Sequence, residues 1–224
     1  MKQLVICIVV LFATTIASVS AQDYKELLKE RKEMAKLATK ELNDKVDKIT
    51  KKEAKKIVKE GWKTAPGALP LEKQLDRSFK MQYEIDQTGF PRYIRGEAQS
   101  VGGNYDAAKM QAINLAKIQL AGNIQTEVNA LVDNAVGNNQ LNQNEAVSTT
   151  KSVMGAVNTI SQNIGRVIPV VELYRDTPSN GKEVRVMIFY NADLAKKAVQ
   201  NAIREDLEKQ GNNLVDKVNK ILGL

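Results

Sequence analysis

The dipeptide Asn180-Gly181 stands between two runs of alternating apolar and polar residues, and it is the strongest local constraint in the chain. Asn-Gly accepts the positive φ angles that a two-residue hairpin turn demands, so the flanking runs are expected to pair as antiparallel strands. If those two residues form the turn, Asp176 faces Arg185, Tyr174 faces Met187, Leu173 faces Ile188 and Val171 faces Tyr190. In that register Val171 and Leu173 share a face with Val184, Val186 and Ile188, and the charge pair takes the other. Pro169 cannot donate to a ladder, so it marks the strand's start or a bulge, on a sheet edge.

Two more strands are expected upstream. Phe79, Met81, Tyr83 and Ile85 alternate with Lys80, Gln82, Glu84 and Asp86, a period of two that reads as a half-buried strand. After a turn at Gly89-Phe90-Pro91, a second strand runs from Tyr93 to Val101. Its face of Ile94, Gly96, Ala98 and Ser100 is small enough to let a helix approach closely.

That helix is expected next, with Asn104 as its cap, Asp106 in the first turn, and Ala108, Ala112 and Ala116 as a thin ridge. Ile113, Leu120, Ile124, Val128, Leu131 and Ala135 continue the stripe at helical spacing. Gly137 to Gln140 break it, and a second helix runs from about Gln143 to Asn163. The amides between Asn134 and Asn144 cap helix ends and form a polar turn, with sugar binding as the weaker reading. A final helix from Asn191 to Lys209 buries Leu194, Ala198, Ala202 and Leu207. The expected fold class is therefore α+β: an antiparallel four-stranded sheet covered on one face by helices, preceded by a long Lys-rich N-terminal helix.

Residues 1–21 read as a secretory signal peptide, with Lys2 as the positive start, an apolar run from Leu4 to Ile16, and cleavage between Ala21 and Gln22. That run spans only about 20 Å as a helix, short of a bilayer core of roughly 30 Å. Residues 22–61 form the Lys-rich amphipathic helix, ended by Gly61, with Trp62 folding back on Ile57. Residues 62–71 read as a Pro/Gly linker, 72–210 as the α+β domain and 211–224 as a C-terminal amphipathic tail.

Composition limits the chemistry. The chain has no His, and its single Cys, Cys7, leaves with the signal peptide. Imidazole bases, His-ligated metals, thiolate nucleophiles and disulfides are thereby excluded from the mature chain. No phosphate-binding loop, dinucleotide fingerprint or nucleophile elbow occurs, so no catalytic, metal or cofactor-binding residue is assigned. Glu84, Glu97 and Glu172, on expected strands, are the carboxylates a glycosidase would draw on, against the ordinary reading of acidic strand residues facing water.

Positions 22–60 hold thirteen basic and nine acidic residues, a net +4 out of the mature chain's +6. Lys25, Lys29, Lys32, Lys36, Lys51, Lys52, Lys55 and Lys56 are the candidate contacts to an anionic lipid or glycan surface. The favoured reading of the same residues is a solvated helix, because charges of both signs are interspersed rather than blocked.

At Tyr93-Ile94-Arg95-Gly96-Glu97-Ala98, then Asn104-Tyr105-Asp106-Ala107-Ala108, the alanines at 112 and 116, and Leu120, Ile124 and Val128, the chain resembles a bacterial envelope family. This is the Lpp-twenty-type lipoprotein domain, shared in looser form with the N-terminal domain of flagellar assembly protein T. The resemblance covers roughly residues 92–200. It implies an α+β domain in the periplasm or on the cell surface with a scaffolding role, and it carries over no catalytic residue. Those lipoproteins have a junctional Cys that this chain lacks, so acylated anchoring is not expected here.

The combined expectation is an exported, non-enzymatic envelope protein with a structural, scaffolding or protein-binding role, not lipid-anchored. It needs no cofactor, does not bind nucleic acid and has no transmembrane span after cleavage. Its partner would be an envelope protein or cell-wall component. The alternative is a peripheral binder of anionic lipid or polysaccharide acting through the Lys-rich helix.

Overall fold

The computed structural model describes residues 45–86, 91–165 and 167–224. The expected signal peptide, its expected junction at Ala21 and Gln22, and Lys25, Lys29, Lys32 and Lys36 lie outside those residues, as does the Gly89-Phe90 part of the first turn. In chain order the elements are α1 (Lys48–Lys59), β1 (Lys63–Thr64), α2 (Leu71–Tyr83), β2 (Tyr93–Gly102) and α3 (Tyr105–Gly137). They continue with α4 (Gln143–Gly155), α5 (Val157–Asn163), β3 (Val171–Asp176), β4 (Lys182–Asn191), α6 (Ala192–Glu208) and α7 (Asn212–Leu222). The four strands form one antiparallel sheet in the order β1-β3-β4-β2, and helices pack on it, so the fold is α+β. Among the described residues no helix is long and apolar enough to cross a membrane.

The small face of β2 works as expected. A Cβ added at Gly96 would lie 2.4 Å from the Ala116 carbonyl oxygen and 2.7 Å from Leu120 Cβ, so α3 sits directly on the strand. Asn104 caps α3, its Oδ1 accepting the Ala107 N–H at 2.9 Å. Ala108, Ala112, Ala116, Leu120 and Ile124 are fully buried, together with Val184, Val186 and Ile188 of β4. Each of the large members of that set contributes about 1.5–3 kcal/mol by burial.

The hairpin forms, but in another register. Val171 pairs with Met187, Leu173 with Arg185 and Asp176 with Lys182, three positions from the expected ladder. The turn is longer because Pro178 pre-sets its first corner and Asn180 takes the left-handed position at φ 57°; the Thr177 N–H closes it on the Gly181 carbonyl at 3.0 Å. An odd shift exchanges faces. Val171 and Leu173 therefore turn away from Val184, Val186 and Ile188 and join a second, smaller cluster with Ala54, Ile57, Trp62, Leu71 and Leu75. The long helix and its neighbours cover one face of the sheet, while α1 and α2 pack on the other.

Most of the strand expected over residues 79–86 is helix instead: α2 runs to Tyr83, and beyond it Ile85 makes an isolated antiparallel bridge to Pro91. Pro70 starts α2, and Leu71, Gln74, Leu75 and Ser78 make a buried stripe at spacings of three, one and three. That period outweighs the alternation, whose Phe79, Tyr83 and Ile85 are left exposed. The fourth strand comes from the presumed linker: Lys63 and Thr64 pair with Tyr174 and Leu173, and Trp62 beside them is buried. The linker at 62–71 is thus part of the folded unit, which spans Lys45–Leu224. A single helix from residue 22 to 61 is also revised, because residues 45–47 are not helical and Asp47 caps a new start.

At the other end, the expected helix over 143–163 divides at Ala156 into α4 and α5. In α6 it is Ala195, Ala198, Val199, Ile203 and Leu207 that are buried, with Leu194 half in solvent. The C-terminal tail is not peripheral: Leu214, Val218 and Leu222 of α7 are buried in the main core.

Candidate anion-binding face

Helix α1 is locked at both ends. Asp47 accepts the Ile49 N–H at 3.3 Å at its start. At its end Gly61 adopts φ 87°, the Gly61 N–H bonds the Val58 carbonyl at 3.0 Å and the Trp62 N–H bonds Ile57 at 3.3 Å, a Schellman motif. Trp62 is held beneath the Arg175 guanidinium, 4.5 Å from the ring centre. Arg175 in turn bonds Glu183 at 2.7 Å and the Glu60 carbonyl at 3.3 Å, tying the end of α1 to the sheet. Trp62 is 4% exposed, so its ring serves packing at the end of α1.

With Thr50, Ala54 and Ile57 turned inward, the lysines of α1 share the outer surface. Lys48, Lys51, Lys52, Lys55, Lys56 and Lys59 are all exposed. At 3.6 residues per turn they fill an arc of about 140° opposite the buried stripe, over a helix length of roughly 17 Å. Six lysines against the single Glu53 give the helix a charge of +5. None of the six pairs with a carboxylate among the described residues, whereas other lysines of the fold do. Ile49 and Val58, 74% and 58% exposed, flank the array. Of the named candidates, Lys51, Lys52, Lys55 and Lys56 are therefore brought together on one face. Lys48 and Lys59 complete it, and the helical spacing of Lys48 with Lys52 and of Lys55 with Lys59 was the signal that identifies them.

Several other charged groups pair within the fold. Glu84 pairs with Arg92 at 2.7 Å, Glu97 with Arg185 at 2.8 Å and Glu172 with Lys109 at 2.7 Å. Glu97 and Glu172 leave opposite faces of the sheet, since Glu97 is opposite Met187 and Glu172 opposite Val186. The three carboxylates do not converge. Tyr105 also donates to Glu172, and burial followed by that bond raises the phenol well above its ordinary range. At the hairpin base Asp176 bonds Lys182 and Lys63, which lowers its carboxyl, while Asp176 raises the Lys63 ammonium.

The amides of residues 134–144 serve helix ends. Asn142 caps α4 in a reciprocal box with Glu145, and Asn138 donates to Asn134 at 3.2 Å. Glu145 also accepts from Lys217 of α7 at 2.7 Å, and its carboxyl is lowered by that bond and by the Asn142 N–H.

Comparison with protein-family models found no matching family, and comparison with curated proteins found no match.

Proposed function

We propose that the chain is an exported, non-enzymatic protein of the bacterial envelope with a structural, scaffolding or protein-binding role. The reading is supported by the signal-peptide pattern, by the resemblance over residues 92–200, and by Glu84, Glu97 and Glu172 each being held in a separate ion pair rather than converging on a cleft. Fractionation of cells should place the chain outside the cytoplasm with Gln22 at its N-terminus. Retention in the cytoplasm, or robust turnover of an envelope polymer by the purified protein, would overturn it.

One observation favours a more specific contact: the lysine face of α1, which has no carboxylate partner among the described residues. A fixed array of cations attracts a surface of repeated phosphate or carboxylate groups, and the attraction is screened by salt. The surface-binding reading is therefore that α1 rests on an anionic lipid or polysaccharide layer. The protein should sediment with vesicles containing anionic lipid, or with an acidic glycan, at low ionic strength and not with neutral vesicles. Joint replacement of Lys51, Lys52, Lys55 and Lys56 by Gln should abolish the effect. Binding that survives this replacement, or that ignores added salt, rules the reading out.

A further inference from the structure

Away from the lysine face, on the α3 side of the sheet, the core opens into a cavity of about 500 Å³ walled by β2, α3, α6 and α7. Ile124, Val128 and Leu222 form its floor, and Ile94, Leu131 and Ile221 stand half-buried around it. These positions belong to regular elements already fixed by core packing, so the space is built into the fold. The volume falls within the roughly 300–1,000 Å³ usual for small-molecule pockets, and an apolar lining with few polar groups is the usual composition. A concavity of similar volume at the hairpin end, about 510 Å³, differs in kind. It is lined by Lys63, Arg175, Asp176 and Glu183, whose charges are spent on one another.

The mouth of the apolar cavity is polar and carries both signs; Asp86, ahead of β2, also lines it but is already engaged within the protein. Glu127 comes from α3, exposed and with no ion pair among the described residues. Lys196 comes from α6, held only at 3.6 Å by Asp193, itself 75% exposed. A cation on one helix and an anion on another suit a headgroup that itself holds an anion and a cation, above an apolar body that displaces water from the walls. We infer that this cavity binds the hydrocarbon chain of a zwitterionic amphiphile, with an acidic group of the ligand at Lys196 and its ammonium at Glu127.

The test is calorimetric titration of the protein, purified in the form its cells accumulate, with myristoyl lysophosphatidylethanolamine kept below its micellar concentration. Saturable one-to-one binding with a negative heat-capacity change is expected. Glycerophosphoethanolamine, the headgroup alone, should give no measurable binding. Ala130→Trp, on an exposed helix position at the cavity, should weaken binding by about tenfold or more without lowering the unfolding midpoint. Glu127→Lys should reverse the preference of the site from the zwitterion to myristate. The fourfold Lys-to-Gln variant of α1 should bind the amphiphile unchanged, which separates this site from surface attachment. Absence of saturable binding, or binding that both the Ala130 and the Glu127 variants leave intact, overturns the inference.

Discussion

Gly96 in β2 and Gly122 in α3 would each gain one methyl group on replacement by alanine, yet the surroundings differ completely. At Gly96 the new carbon meets the Ala116 carbonyl and Leu120, whereas at Gly122 nothing lies within 4 Å. Gly96→Ala is expected to destabilise by about 1–3 kcal/mol through overpacking, because the nearest atom is helix backbone that cannot step aside. Gly122→Ala is expected to stabilise by roughly 0.5–1 kcal/mol through helix propensity. Urea denaturation of the two variants checks both signs. At Glu145 the prediction concerns pH. Its carboxyl is held below the ordinary 4.5 by Lys217 and by the Asn142 N–H. The resulting stabilisation is present above the unfolded-state value and is lost as pH falls through the lower folded-state value. The stability gap between the parent and Lys217→Met should be open at neutral pH and close on acidification below 4.5. Denaturation midpoints across that range measure it, and a gap that widens in acid contradicts the assignment. At this scale the sequence was easiest to read: Asn104 and Gly61 act through neighbours one turn away, and each stands where its local chemistry puts it.

Elements were harder to read wherever a distant partner decided the outcome. Strand β2 is an edge, and two side chains of α3 occupy it: the Glu97 N–H donates to Gln119 at 2.5 Å and the Asn123 amide donates to the Arg95 carbonyl at 2.7 Å. On the other edge strand β1 spans only two residues, and the Glu172 N–H beyond it is taken by Gln74 of α2 at 2.7 Å. Such blocking keeps bare strand edges from pairing with other chains. Replacing Gln119 and Asn123 together by Ala should therefore increase self-association, seen by sedimentation velocity as a concentration-dependent larger species. An unchanged monomer distribution in that variant would count against the edge-blocking role. The same dependence on partners explains the misread elements. Residues 79–86 alternate as a strand should, but the stripe that is buried begins at Leu71, outside that window. The hairpin was legible as a hairpin, yet its register was set by Pro178, and one corner residue moved Val171 and Leu173 to the opposite layer. Of the lysine face, the cationic helix was legible from composition. Its confinement to one side shows in the i,i+4 spacing of Lys48 with Lys52 and Lys55 with Lys59, while the burial of the opposite side depends on the docking of Thr50, Ala54 and Ile57.

The whole molecule holds two apolar clusters separated by one sheet. The larger gathers α3 to α7 against β2 and β4, and the smaller gathers α1 and α2 against β3. The sole Trp of the chain, Trp62, sits in the smaller one. Less apolar area secures that layer, so it is expected to open before the main core. Tryptophan emission should therefore change at lower denaturant than far-ultraviolet ellipticity, and superimposable curves from the two probes would argue for a single cooperative unit. The layer that opens first also carries the lysine face of α1. Neighbouring like charges three and four positions apart disfavour their own helix by about 0.2–0.5 kcal/mol per pair, so α1 is held in shape against its own electrostatic pressure. Anything that relieves that pressure tightens the helix it touches. An indole signal under Arg175 would then register a polyanion arriving on the far side of α1 as a rise in melting temperature, turning the protein into its own gauge for a ligand whose chemistry is otherwise untagged.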